Sequence, residues 1–434
     1  MNQRETLKVN KNGKLEIGGI SCTELAAQFG TPLYVMDKSY IMNMCKIFHD
    51  VLLDEYENGL ICYASKAFSC KEMYRIANSQ DIGIDVVSGG ELYTASSVNF
   101  PMNKVCFHGN NKSKEELEMA IKHGVGYIVI DAFSEADMLN DICEKYNTIQ
   151  SVLIRVNPGV EAHTHHFIQT ANIDSKFGFS ISNGDAEKII NYVISHKNLS
   201  LKGLHCHIGS QIFENQSFSL AVNKMTDFYS KIKKDLGYEF DVLNLGGGFG
   251  IWYSEGDAVK SCDEYSSYIK NIVDTLKKDI VTKKLKKPFL ILEPGRSIVG
   301  EAGITLYKAG RIKHIRGIKD YIAINGGMFE NPRYALYQAK YTVVAPEKMN
   351  IEPNCKYSIA GKCCESGDII AENCSLPKIE EGDLLAVLST GAYNYSMSSN
   401  YNRNLIPPVI MVENGKAYYA IKPQSYEDII RNDI

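Results

Sequence analysis

From about residue 60 the chain alternates between short apolar runs, rich in β-branched and aromatic residues, and longer stretches with helical periodicity. The apolar runs fall near Leu60–Tyr63, Ile82–Val87, Lys104–Phe107, Tyr127–Ile130, Val152–Val156, Lys202–His205, Val242–Leu245 and Phe289–Leu292. Runs of this length with little polar alternation predict strands buried on both faces. Helical patterns separate most of them. They run from near Cys70, from Ser113, over Glu135–Tyr146, Asp185–His196 and Phe218–Leu236, and after Glu264. Ser113 followed by Glu116 is a capping-box signature. Eight alternating units predict an α/β chain built on a (β/α)8 TIM-type barrel, whose chemistry belongs at the C-terminal ends of the strands.

Beyond Gly303 the helical rhythm stops. Short alternating runs follow at Thr305–Ile312, Tyr321–Ile324, Lys356–Ile359, Leu384–Leu388 and Val409–Val412. Asn414-Gly415, between Val412 and Ala417-Tyr418-Tyr419, is a hairpin-turn signal. These runs predict a second, β-rich domain of sandwich or barrel-like form. The N-terminus reads as a short strand region, a helix near Cys22–Phe29 and a strand at Pro32–Met36 that joins the β-rich domain. The expected division is therefore 1–38 as the joining segment, 39–303 as the barrel and 304–434 as the β-rich domain.

Composition narrows the function classes. The chain has 434 residues, 44% apolar content, 23% charged content and a net charge of −4, ordinary for a soluble protein of two domains. No basic stripe predicts nucleic-acid binding. Residues 1–16 contain no apolar core of a signal peptide, and no apolar run nears the roughly 20 residues that span a bilayer. The twelve cysteines form no Cys-x-x-Cys pair and are expected as reduced thiols in a cytoplasmic protein.

Candidate chemistry collects where strands are expected to end. Lys66, in Tyr63-Ala64-Ser65-Lys66-Ala67-Phe68, follows the first apolar run. A single lysine is most often a solvated surface group. As a neutral amine in an apolar setting, however, it forms a Schiff base with an aldehyde. Asn244-Leu245-Gly246-Gly247-Gly248-Phe249-Gly250 follows the seventh run. Glycines there let backbone N–H groups approach a phosphate, although a tight turn explains them equally well. The eighth run ends in Glu293-Pro294-Gly295-Arg296, which combines an anion for a ring nitrogen with backbone and guanidinium donors for a phosphate. His205-Cys206-His207-Ile208-Gly209-Ser210-Gln211 and His163-Thr164-His165-His166 raise the question of a metal. Neither set is completed by an acidic or thiolate cluster, so no metal is expected. An imidazole stacked on a flat cofactor, with a serine on its phosphate, fits the first set better. In the β-rich part, Asn331-Pro332-Arg333-Tyr334-Ala335-Leu336-Tyr337 carries an arginine suited to a carboxylate. Gly361-Lys362-Cys363-Cys364-Glu365-Ser366-Gly367-Asp368 sets a thiol beside a carboxylate, and Gly391-Ala392-Tyr393 opens an aromatic-rich loop.

Together and in this order, these motifs resemble the diaminopimelate decarboxylase family, fold type III pyridoxal-phosphate enzymes of bacterial lysine synthesis. The resemblance runs from about Thr31 to Tyr401, with Phe107-His108-Gly109-Asn110-Asn111-Lys112 and the loop Asn157–Phe179 as its most specific parts. Tyr334 stands where the family has proline, and Asn325 where it has Asp-Gly-Gly; both concern local loop shape. The resemblance implies pyridoxal 5'-phosphate as cofactor, with Lys66 bonded to its aldehyde. It implies that Asp85, His207, Ser210, Gly248, Glu293, Pro294, Gly295, Arg296 and Tyr393 surround that cofactor. His207 would stack on its ring, and Glu293 would pair with its ring nitrogen. Arg296, Arg333, Tyr337, Glu365 and Tyr393 would bind the substrate, meso-diaminopimelate, and Cys364 would donate a proton. Cys364 and Glu365 come from the partner subunit in this family, which implies a homodimer with shared active sites.

Three rival readings are weighed against this one. Decarboxylases of the same fold acting on ornithine, arginine or carboxynorspermidine need an acid for a distal amine and have no use for Arg333 in this motif. Racemases of this fold put a cation near the ring nitrogen, which Glu293 opposes. A non-catalytic regulatory homologue would have lost Lys66 or Cys364, and both are present.

Overall fold

The computed structural model describes residues 6–160, 175–258 and 261–434. The His163–His166 set and the rest of the His163–Thr170 stretch lie outside the described residues. The chain divides into two compact units. One comprises the described parts of residues 44–250 and 260–295; the other comprises those of 1–43, 251–259 and 296–434.

The first unit is a closed eight-stranded parallel barrel. Its strands are Gly59–Ala64, Gly83–Val86, Val105–Phe107, Tyr127–Ile130, Gln150–Asn157, Leu199–His205, Val242–Asn244 and Phe289–Leu292. Each pairs with the next in parallel, and Leu290–Leu292 returns to Gly59–Ile61 to close the ring. Every apolar run identified in the sequence is one of these strands. The reason is burial on both faces: Cys62, Cys106, Val129, Leu153, Val242 and Ile291 fill the inside of the barrel, and helices cover the outside. Helix starts follow their local chemistry. Ser113 Oγ accepts from Glu116 N–H at 3.2 Å while Ser113 N–H donates back to Glu116 Oε2 at 2.9 Å. Ser261 and Glu264 repeat the motif ahead of Cys262–Thr282. The sequence did not suggest the helix Gly89–Ser96, because a Gly-Gly start has poor helix propensity; the Ser88 cap and tertiary packing carry it.

The second unit is built on a β-sheet of nine strands. Leu33–Asp37 pairs antiparallel with Gly303–Ile315 and parallel with Val409–Glu413, so the N-terminal strand lies inside this sheet. Asn414 and Gly415 both have positive φ, 50° and 74°, and turn Val409–Glu413 back into Lys416–Ile421. One strand, Ile369–Leu376, escapes the alternation rule. Its register slips around Asn373, whose φ is 55°, so the polar pair Glu372-Asn373 sits in a bulge. Asn325 occupies its departure from the family pattern by bonding Lys308 N–H and Thr31 Oγ1, each at 2.9 Å. Tyr334 lies in the helix Arg333–Tyr337 and donates to Glu372 Oε2 at 2.5 Å.

Glu330 is a fully buried acid of this unit. Its Oε1 accepts from Gly327 N–H and its Oε2 from Tyr307 O–H, both at 2.8 Å. Burial raises its carboxyl from the ordinary 4.5 to about 8. The folded protein therefore keeps a proton that the unfolded chain releases above pH 4.5. The proton's contribution to stability is complete below pH 4.5, declines as pH rises, and is gone above about pH 8. Within that window the loss approaches 1.4 kcal/mol, roughly, per pH unit. Glu330→Gln, neutral at every pH, is expected to flatten the decline in melting temperature between pH 5 and 8. An unchanged slope would show that Glu330 is ionised in the folded state.

Candidate active site

In the barrel unit, the ends of five strands carry the candidate groups. Lys66 lies in a single 3-10 turn, Ser65–Ala67, directly after the first strand. It is exposed while Ser65 and Ala67 on either side are buried, so the turn anchors itself and leaves the amine outward. Its charge acts on Asp85, Glu91 and His207, which places all three around it. Asp85 is buried on the second strand, and its Oδ1 has no hydrogen-bond partner among the described residues. Burial raises its carboxyl, with His108 acting in the opposite sense. Glu91, at the start of the next helix, accepts from Val87 N–H at 2.8 Å, and burial lifts it to about 7.

The loops after the sixth, seventh and eighth strands are tied to one another. Ile212 N–H donates to Gly248 O at 2.9 Å, and Glu293 N–H to Gly246 O at 2.7 Å. Ala64 N–H donates to Pro294 O at 3.1 Å, which joins the eighth loop to the first. The glycines are needed for this approach. A Cβ on Gly247 would lie 2.0 Å from Glu293 O, one on Gly248 2.4 Å from Gly209 O, and one on Gly295 2.8 Å from the Ala64 Cβ. Half-buried Ser210 belongs to the same cluster, next to Gly209. His207 Nδ1 accepts from Gly247 N–H at 3.3 Å, and burial holds this imidazole well below its usual range, hence neutral.

Glu293 is the centre of the barrel group. Oε1 accepts from His108 Nε2 at 2.8 Å and from Asn244 Nδ2 at 2.6 Å, and Oε2 lies 3.3 Å from His205 Nε2. Burial opposes its charge, but the two histidines outweigh that and hold the carboxyl well below the usual range. The donor atoms of His108, His205 and Glu293 lie within 4.8 Å of one another, close enough for a metal. They already satisfy each other as an ion and hydrogen-bond cluster, so the trio reads as such rather than as a ligand set.

The second unit carries the other candidates. Arg296 opens the short helix Arg296–Val299, donates to the Tyr253 hydroxyl, and stacks 4.7 Å over the Tyr393 ring. Tyr393 reaches that position with a φ of 62°, unusual for a residue with a side chain. Two residues earlier, a Cβ on Gly391 would lie 1.9 Å from Val299 O, which shows how tightly the loop is drawn in. Arg333 is buried and donates to Tyr253 Oη at 3.0 Å and Tyr341 Oη at 2.8 Å. Both arginines thus meet at one tyrosine hydroxyl. Tyr337 is exposed at the end of the helix that Arg333 begins.

Cys364 and Glu365 ride on a loop organised by buried Asp368, which accepts from Met328 N–H at 2.6 Å and Cys363 N–H at 2.7 Å. Both side chains are exposed, and the Cys364 backbone N–H donates to Asn402 Oδ1 at 2.9 Å. Among the described residues no hydrogen bond joins this pair to Arg296, Arg333, Tyr337 or Tyr393. Sequence reasoning gave no role to His108, His205, Asn244, Glu91, Tyr253 or Tyr341. His-x-His and the His108 motif were visible, but their meeting at Glu293 depends on barrel closure.

Residues 41–300 match the family described as "Pyridoxal-dependent decarboxylase, pyridoxal binding domain". A diaminopimelate decarboxylase of Bacillus subtilis (strain 168) is 46% identical over 429 residues, covering 99% of this chain and 97% of that protein. One of Staphylococcus aureus (strain COL) is also 46% identical and covers 99% of both. The chain belongs to the diaminopimelate decarboxylases. The fold agrees: a crystal structure of the M. jannaschii diaminopimelate decarboxylase in complex with L-lysine has a TM-score of 0.88 and 33% identity, over 99% of this chain and 98% of that one.

The decarboxylase family depends on pyridoxal phosphate, and the barrel residues fit that group. They offer an outward amine, a neutral imidazole, a carboxylate held ionised, a buried Asp85 oxygen without a hydrogen bond among the described residues, and backbone that no side chain obstructs. No helix among the described residues is long and apolar enough to cross a membrane.

Proposed function

We propose that this chain removes one carboxylate from meso-2,6-diaminopimelate to give L-lysine and CO2, as a cytoplasmic homodimer closing bacterial lysine synthesis. The observation that carries the choice of substrate is Arg333, a buried guanidinium whose described hydrogen-bond partners are two tyrosine hydroxyls and no carboxylate. A buried cation in that state favours an anion. The distal end of diaminopimelate bears a carboxylate, whereas ornithine and lysine end in an amine.

The cofactor supplies, once bound, an electron sink for the pair left when CO2 departs. Lys66 would hold its aldehyde, and His207, whose burial favours the neutral form, would offer it a flat face without adding charge. Glu293 holds a proton at the ring nitrogen, which favours decarboxylation and separates this site from one with a cation there. Asp85 and Pro294 would border the cofactor, and Ser210, Gly248, Gly295 and Arg296 would hold its phosphate. Arg333, Tyr337 and Tyr393, with Glu365 of the partner subunit, fix the zwitterionic distal end. Cys364 of the partner subunit delivers the proton that replaces the carboxylate, so one C–C bond breaks and one C–H bond forms. Glu91, near neutrality beside Lys66, is suited to take up the proton that the lysine gives or returns.

The test is turnover by purified protein with pyridoxal phosphate, offered meso-diaminopimelate, L-ornithine, L-arginine and L-lysine separately. CO2 and L-lysine from diaminopimelate alone are expected. Turnover of ornithine or lysine instead would overturn the substrate reading while leaving the cofactor reading intact. Arg333→Lys keeps the charge but loses the planar fork. It is expected to lower kcat/KM for diaminopimelate by about 10- to 100-fold, mostly through KM, with cofactor absorbance unchanged.

A further inference from the structure

A buried row of charge, Glu293–His108–Asp85, runs beneath the proposed site, and its middle member has no part in the roles above. His108 follows the third barrel strand, and its backbone N–H donates to Val86 O at 2.8 Å. The turn after it is held by Lys112, whose Nζ donates to Gly109 O at 2.7 Å and Val129 O at 2.8 Å. Lys112 Nζ also pairs with Glu135 Oε1 at 2.6 Å, and both of these side chains are buried. The ring of His108 is therefore fixed from its own backbone. Nε2 points at Glu293 Oε1, 2.8 Å away, and lies 3.8 Å from Asp85 Oδ1.

Every charged or titratable neighbour of this ring acts in a definite sense. Burial opposes a charge on His108, and Arg155 adds to that, but Glu293 and Asp85 together raise its affinity for a proton above the usual range. His205 stands 4.6 Å from it, ring to ring, and goes the other way. Burial first, with His108 adding to it, lowers His205 to about 3 despite Glu293. Of the two imidazoles on Glu293, His108 is thus shifted toward the charged form and His205 toward the neutral one. A buried carboxylate without a cation takes up a proton itself. It then no longer requires the proton to reside on a base held against it.

We propose that His108 is a positioning residue acting through Glu293: its imidazolium is the counter-ion that keeps Glu293 ionised and aimed, and thereby keeps the proton on the ring nitrogen. The inference rests on the pyridoxal-phosphate reading of the site. It assigns a function to the histidine of the Phe107-His108-Gly109 motif and, through Gly109, to Lys112 and Glu135.

The experiment loads wild type, His108→Gln, His108→Phe and Glu293→Gln with pyridoxal phosphate labelled with 15N in the ring. The ring-nitrogen NMR shift is followed between about pH 6 and 9, together with kcat and KM. Wild type is expected to show a protonated nitrogen throughout. His108→Gln retains a donor without charge, and is expected to titrate within the range and lose kcat about 10-fold or more with little change in KM. His108→Phe goes further, toward the unprotonated signal of Glu293→Gln; if it does not fold, His108→Gln carries the comparison. A wild-type shift and wild-type kcat in the His108 variants, beside an altered Glu293→Gln, would overturn the role of His108 alone. An unaltered shift in Glu293→Gln would overturn both that role and the reading of Glu293 on which it rests.

Discussion

Lys66→Ala is expected to lose the visible absorbance of the lysine-bound cofactor and to cut turnover by at least about 10³-fold. The size follows from the role: without the amine the aldehyde is not held, and no neighbouring group replaces it. The structure makes this variant informative because Lys66 is exposed while the residues beside it anchor the turn. Removing its side chain costs little packing, so the fold is expected to stay within about 0.5 kcal/mol of wild type. Loss of turnover with an unchanged melting temperature then belongs to chemistry. A surface lysine, the commonest fate of such a residue, would leave both absorbance and activity as they were. Full activity in Lys66→Ala would remove the basis of the whole site assignment.

How much of this was legible in the chain depends on distance along it. The barrel strands were legible because each is buried on both faces, and burial of that kind writes an unbroken apolar run. The hairpin at Asn414-Gly415 was legible because left-handed backbone selects those residues. Ile369–Leu376 was not, because a bulge at Asn373 turns its polar pair outward and breaks the period. Gly89–Ser96 was not, because its own residues argue against a helix. The site divides in the same way. Lys66, the glycine run and Glu293 stand in contiguous motifs whose composition suggests chemistry. The shell of Glu293 comes from residues 108, 205 and 244, and only closure of the ring brings these together. Tyr253, which bridges Arg296 and Arg333, likewise has no local signal.

Cys364→Ala is expected to keep the cofactor and its absorbance, but to lose about 10²- to 10⁴-fold in kcat, the usual range for a missing proton donor. The placement of Cys364 sharpens this into a test of assembly. The thiol is exposed on a loop that Asp368 anchors, and among the described residues it makes no hydrogen bond to Arg296, Arg333, Tyr337 or Tyr393. Holding a proton donor outward on a fixed loop suits delivery into a second copy of the chain. If so, inactive Lys66→Ala and inactive Cys364→Ala should complement each other when unfolded and refolded together. Random pairing makes half the dimers mixed, and each mixed dimer joins an intact Lys66 from one chain to an intact Cys364 from the other at one of its two sites. Activity should then recover to about a quarter of wild type. A donor acting within its own chain gives no recovery at any mixing ratio, because every site in the mixture lacks one of the two groups. Recovery near a quarter would therefore support the shared active site and the proton-donor role together. No recovery, with each variant folded and dimeric, would confine both residues to one chain and overturn the shared active site.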